Sequence, residues 1–146
     1  MQSLGLMLHN AANLLKREFE RAARPHGLTL LQWRVLGQLS REVGLTQIAL
    51  GARLEVSPMT ISDVIERLEM AGLVAREVDP LDSRAKIVRI TDDALPIVER
   101  MRTVAAEVYA KALHGIDGAD RATIERTLTR IASNLEGPKS KKDKAV

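Results

Sequence analysis

Apolar residues recur every three or four positions from Leu4 to Leu68, and after Gly72 that period gives way to two short runs rich in β-branched residues. Helices followed by a hairpin, with helical segments again beyond it, leave few architectures open. Leu4, Leu8, Ala11, Leu15, Phe19 and Ala22 share one face of a first helix, and Met7 and Leu14 widen the stripe. Pro25, His26 and Gly27 break it. Thr29 is placed to cap a second helix with Leu30, Trp33, Leu36 and Leu39 inward and Gly44 at its end. Thr46 caps a short third helix, Gln47 to Leu54, which buries Ile48, Leu50 and Leu54 in some combination, and Glu55 and Val56 form a turn. Ser57-Pro58 is a strong helix start: serine accepts an orphan backbone N–H, and proline at the first helical position gives up no hydrogen bond. In that fourth helix Ile61, Val64, Ile65 and Leu68 lie inward. Thr60, Ser62, Asp63, Glu66 and Arg67 stay free, and Gly72 ends the helix.

Leu73 to Val78 and Lys86 to Thr91 read as the strands of a hairpin, joined by a long loop from Asp79 to Arg84. Thr91 with Asp92 and Asp93 is expected to cap a helix from about Asp92 to Leu113, with Pro96 tolerated near its start. A last helix carries Ile124, Leu128, Ile131 and Leu135, a narrow seam suited to another helix. The expected fold is mainly α with a small β-hairpin wing, a winged helix-turn-helix flanked by helices from both chain ends. One domain is expected over 1–136, with the winged module at about 29–91 and the flanking helical regions at about 2–23 and 92–136.

Composition excludes several chemistries. The chain has no cysteine, which removes disulfides, thiolate metal sites and thiol sensing. His9, His26 and His114 are far apart and form no ligand cluster, and neither a Gly-rich phosphate loop nor a Ser/His/acid arrangement stands out. No enzyme activity, metal or cofactor is expected. With no run of about 18 apolar residues and no secretory start, the protein is expected to be cytoplasmic, with no membrane partner. Net charge is a weak guide: residues 29–91 hold eight basic and eight acidic groups, and most of the net +3 falls on Lys139, Lys141, Lys142 and Lys144. Residues 137–146 are expected to form a disordered basic tail.

A two-helix corner with an exposed polar face can place one helix in a major groove, but many such corners bind no DNA. A following hairpin strengthens the case, because a wing arginine can enter a narrow minor groove. Arg84 stands at the far end of the expected loop, and Asp82 is placed to hold its guanidinium by a bidentate pair.

The runs Gly72-Leu73-Val74-Ala75-Arg76, Asp79-Pro80-Leu81-Asp82-Ser83-Arg84-Ala85-Lys86 and Ile90-Thr91 closely resemble the wing signature of the MarR family of bacterial regulators. Leu28 to Leu36 resembles that family's second helix and Leu45 to Ala49 the opening of its third, so the similarity covers essentially the whole chain. The resemblance implies a homodimer with interlocked terminal helices on a double-stranded, pseudo-palindromic operator, its half-sites about 10 base pairs apart. It implies that the helix from Ser57 is the recognition helix and Arg84 the wing-tip arginine. Met59, Thr60 and Ser62 are then candidates for base edges, with Pro58 and Met59 suited to thymine methyls. Thr46, Ser57, Arg67 and Lys86 suit phosphates. Asp63 is expected to pair with Arg67 at i+4, or else to accept from a cytosine amino group. Ala94 and Pro96 depart from the glycine-containing start common after such wings.

Similar regulators commonly release DNA when a small aromatic or phenolic anion binds, and repression is the default outcome of covering a promoter. His9, Trp33 and Arg34 are candidates to contribute a polar contact, a stacking face and a cation to such a pocket. Alternatives from other classes are a winged-helix module that binds a protein and an architectural DNA binder without a ligand response.

Overall fold

Side-chain oxygens begin most of the helices by accepting orphan N–H groups that the first turn cannot pair internally. Helix α1 (Leu4–Ala23) starts with Ser3 accepting from Leu6 N at 3.2 Å. A 3₁₀ turn over Arg24–His26 then closes on Gly27. Helix α2 (Leu30–Arg41) opens with a capping box, in which Thr29 Oγ1 accepts from Gln32 N and Gln32 Oε1 accepts from Thr29 N, both at 3.1 Å. It ends three residues before Gly44, which instead supplies a positive φ of 75° for the turn into β1 (Leu45–Thr46). Two residues are too few for a strand to show its period. Helices α3 (Gln47–Leu54) and α4 (Pro58–Met70) follow at the expected positions, and α4 stops before Gly72. The computed structural model describes residues 1–137, so the basic tail anticipated at 137–146 lies, past Gly137, outside the described residues.

The core is built from Val35, Leu36 and Leu39 of α2, Leu50 and Leu54 of α3, and Ile61, Ile65 and Leu68 of α4, closed by Val74, Val88, Ala94 and Val98. One inner-face expectation changes and one open choice is resolved. Val35 is fully buried on α2, while Leu30 and Trp33 are only half-buried and turn toward a cavity. Ile48 is 78% exposed, because the inward face of α3 is filled by Leu50, Gly51 and Leu54. A side chain at Gly51 would start 3.3 Å from Ile61 Cγ2, so its absence is what lets α3 pack closely on α4.

Strands β2 (Val74–Asp79) and β3 (Asp82–Ile90) form an antiparallel hairpin, and β1 adds to the other edge of β3 in the order β1-β3-β2. The long loop anticipated from Asp79 to Arg84 is instead a two-residue turn, Pro80-Leu81. Register explains the difference. Val78 faces Lys86 while Asp79 faces Asp82, so Ser83, Arg84 and Ala85 are absorbed as a bulge inside the ladder.

Helix α5 (Leu95–Ala112) is preceded by a 3₁₀ turn over Asp92–Ala94. Thr91 does not cap it: its hydroxyl donates to Gly72 O at 2.7 Å and so ties the end of β3 to the end of α4. Helix α6 (Gly118–Glu136) is capped by Asp117, which accepts from Asp120 N at 2.8 Å.

The chain divides into two compact units, Met1–Tyr109 and the segment from Ala110 onward. In the first, α1 exposes Leu4, Leu6, Met7, Leu8 and Leu14; in the second, α6 exposes Ile124, Leu128 and Leu135. Among the described residues no helix is long and apolar enough to cross a membrane.

Candidate nucleic-acid interface

The turn from α3 to α4 is made by Glu55 in the left-handed region, with φ at 55°. Ser57 then caps α4, accepting from Thr60 N at 3.2 Å and donating its own proton to Thr60 Oγ1 at 2.8 Å. Thr60 therefore keeps a hydroxyl proton to give outward, while that of Ser57 is engaged. Thr46 likewise accepts from Ala49 N at 3.1 Å. The oxygens of Thr46 and Ser57, expected at phosphates, thus also serve as helix caps.

Pro58, Met59, Thr60, Asp63 and Arg67 are exposed along α4, and Ser62 is half-buried. The pairing anticipated between Asp63 and Arg67 is not made: no ion pair joins them among the described residues. An exposed i,i+4 pair gains only about 0.3–0.5 kcal/mol, too little to hold two solvated chains together. Asp63 is thereby left to solvent, and its carboxylate remains open to a donor.

On the wing, the Arg84 side chain is 92% exposed. Asp82 Oδ1 accepts from Arg84 N at 3.0 Å and from Arg84 Nε at 3.4 Å. The contact is one-oxygen, not the bidentate pair anticipated, because the same oxygen is already turned onto the backbone. It orients the start of the arginine side chain and leaves the end of the guanidinium free. Lys86 is exposed opposite Val78.

Sequence reasoning missed what aims the wing. Arg76 of β2 reaches Glu69 of α4 with Nε to Oε2 at 3.2 Å and Nη2 to Oε1 at 2.9 Å. The hydrogen bond from Arg76 holds the Glu69 carboxyl below its usual value of 4.5; slight burial opposes this, and the charges of Arg76 and Lys86 add to it. Seven residues and a turn separate the two, so no helical or strand spacing announces the pair. Strand β1 fixes the other side, with Leu45 opposite Val88 and Thr46 opposite Ile87. The N-cap of α3 is therefore part of the wing's sheet.

Within the first unit lies a cavity of about 740 Å³, lined by Phe19, Trp33 and Tyr109 together with Lys16, Arg34, Arg41 and Arg53. Phe19 stands edge-on to Trp33 (5.2 Å, 71°) and to Tyr109 (5.2 Å, 72°), so the chain's three aromatic rings form one cluster. Arg34 Nη2 donates to Leu54 O at 3.4 Å, which joins the cavity wall to the end of α3. Two of the three anticipated pocket residues, Trp33 and Arg34, line it. His9 does not: it is exposed on α1, with Nε2 2.9 Å from Asn13 Nδ2. Phe19 and Tyr109 were not foreseen, because no sequence spacing brings residues 19, 33 and 109 together. Among the described residues no cluster of three or more His, Cys, Asp or Glu side chains is placed to hold a metal.

A capped helix with an exposed polar edge, rigidly joined to a hairpin projecting an arginine, defines a winged helix-turn-helix DNA reader. The MarR family model matches residues 26–85. Over 122 residues the chain is 31% identical to the HTH-type transcriptional repressor IacR of Pseudomonas putida, covering 82% of this chain and 72% of IacR. Its fold is like that in the crystal structure of the S. aureus MepR–DNA complex, with a TM-score of 0.83 at 21% identity, covering 92% of this chain and 99% of MepR. It is similarly like Bordetella bronchiseptica BpsR, solved in a study of how 6-hydroxynicotinic acid regulates its DNA binding: TM-score 0.82, 26% identity, 90% of this chain and 94% of BpsR. The chain belongs to the MarR family. It is thus a DNA-binding transcription regulator rather than an enzyme.

Proposed function

We propose that the protein is a cytoplasmic repressor that binds a pseudo-palindromic operator as a homodimer, with α4 in the major groove and Arg84 in the adjacent minor groove. The observation that carries this reading is the rigid union of the two reading elements. Arg84 is 92% exposed on a hairpin whose first strand is fastened by Arg76 to Glu69 of α4. Met59, Thr60, Ser62 and Asp63 then meet base edges, with Pro58 and Met59 against thymine methyls. Arg67, Lys86 and the capped starts at Thr46 and Ser57 meet phosphates, which position the protein without choosing sequence. The leucines exposed on α1 and on α6 supply the surfaces for a second copy.

An aromatic anion entering the cavity releases the operator in this reading. The three clustered rings offer stacking faces, and Arg34 and Arg41 offer positive charge at the same wall, beside Lys16 and Arg53, which are paired with Glu20 and Glu42. BpsR, regulated by a hydroxylated aromatic acid, supports that choice of ligand class.

The test is fluorescence anisotropy on a duplex selected from a random pool. Arg84→Ala is expected to weaken binding by roughly 1–3 kcal/mol while leaving the assembly state unchanged. Wild-type affinity should also fall steeply with salt, as contact with about six phosphates requires. Affinity insensitive to salt and to Arg84→Ala would favour a protein-binding module.

A further inference from the structure

Leu81 is 96% exposed at the outermost point of the wing, and its neighbours Val78 and Pro80 are exposed as well. From buried Val74 to the turn, β2 runs six residues, or about 20 Å of extended chain, so the tip stands well away from the core. A single exposed leucine on a protein surface is ordinary. This one stands on a braced apex. Pro80 fixes its own φ, Asp79 Oδ1 accepts from Leu81 N at 2.9 Å, and Asp82 Oδ1 accepts from Arg84 N at 3.0 Å. Both carboxylates at the tip are turned onto backbone N–H groups, and the cation three residues beyond Leu81 is almost fully exposed. An apolar point beside a guanidinium that Asp82 holds only at Nε matches a surface that is negative in potential and apolar along its walls. The minor groove of DNA is such a surface.

We propose that Leu81 is a specificity-determining residue that enters the minor groove with Arg84 and selects A·T pairs beneath the wing. The inference rests on the reading above that the wing docks in that groove. In the minor groove a G·C pair differs from an A·T pair by the guanine N2 amino group. An isobutyl side chain against the groove floor accepts no hydrogen bond from that amino group and strips it of water, which is unfavourable. Arg84 supplies the attraction that brings the leucine to the floor, and apolar side chains of this kind are used against minor-groove base steps elsewhere. The contact is therefore expected to read the presence of one amino group rather than the identity of a base.

The experiment uses the full-length protein and a duplex selected from a random pool, with the base pairs beneath the wing located by hydroxyl-radical footprinting. Those pairs are then made A·T, G·C or inosine·C, which keeps the cytosine and removes the amino group. Wild type is expected to bind the A·T and inosine·C duplexes alike and the G·C duplex about tenfold more weakly. Leu81→Ala should narrow that ratio to about threefold or less, whereas Arg84→Ala should weaken all three duplexes. Since Leu81 touches no core residue, unchanged thermal midpoints will show that both variants fold. If Arg84→Ala weakens binding but Leu81→Ala keeps the full discrimination, the wing docks and the role of Leu81 is overturned. If Arg84→Ala leaves every duplex unaffected, the wing stays off the DNA and both readings fall. A Leu81→Ala protein that changes assembly state without changing base preference would assign the tip to a second copy of the chain and overturn the inference too.

Discussion

Arg76 grips Glu69 with two nitrogens on two oxygens, at 3.2 and 2.9 Å, and so fastens the first wing strand to the last turn of α4. Paired geometry of this kind holds direction as well as distance. Arg76→Lys keeps the charge but loses the fork, and is expected to weaken operator binding several-fold with little change in thermal midpoint. Equal affinity for the two proteins, measured by anisotropy, would remove the clamp from the reading mechanism.

The same pair sets a pH dependence. Because the Glu69 carboxyl is held below 4.5 in the folded protein, chiefly by the hydrogen bond from Arg76, its contribution is fully present above the unfolded value. It is lost as pH falls through the lower folded value. The difference in thermal midpoint between wild type and Glu69→Gln should therefore be constant near neutrality and close only below 4.5. A difference that closed between pH 6 and 8 would need another titrating group, because this sign and range belong to a carboxylate of lowered pKa.

Ser57 serves α4 before it serves any ligand. Replacing it by alanine removes the oxygen that accepts from Thr60 N and should cost about 1 kcal/mol of stability. Thermal or denaturant unfolding checks this without DNA. An unchanged midpoint would show that the cap adds nothing measurable to stability.

Much of the fold was legible because its causes are local. Thr29, Thr46 and Ser57 marked helix starts correctly, since a short oxygen-bearing side chain before an apolar stripe satisfies orphan N–H groups wherever it occurs. What escaped depends on distant partners. Ile48 fitted the stripe of α3 yet lies outside, because packing against α4 is settled by Gly51 and Ile61. The loop from Asp79 to Arg84 has turn chemistry throughout, but only strand register decides that three of its residues become a bulge. Arg84 could be singled out from the wing signature and is exposed on the hairpin, while Glu69–Arg76 and the cluster of Phe19, Trp33 and Tyr109 join segments whose separations carry no period.

Trp33 is the chain's only tryptophan and stands in the cavity wall, so any change in tryptophan emission is assigned to that wall. Titration with a panel of aromatic carboxylic acids should quench or shift that emission for at least one member and, at the same concentrations, release a labelled operator. Phe19→Ala should weaken both effects by removing the ring that joins the other two. Release of operator with no change in emission would place the effector elsewhere.

Leu128 is 44% exposed on α6. If α6 pairs with a second copy, Leu128→Asp puts an unpaired charge into an apolar seam and should shift the protein toward monomer in light scattering. Operator affinity should fall with it, since two half-sites would no longer be bound together. A wild-type protein that scatters as a monomer at micromolar concentration would contradict the homodimer.

Selection of bound duplexes from a random pool tests the central claim most directly. If the protein binds as the proposed homodimer, its two wings and two α4 helices should return an inverted repeat with half-sites about 10 base pairs apart, and A·T-rich pairs outside each half-site where Arg84 would lie. A consensus with one half-site only, or a pool that never converges, would contradict it.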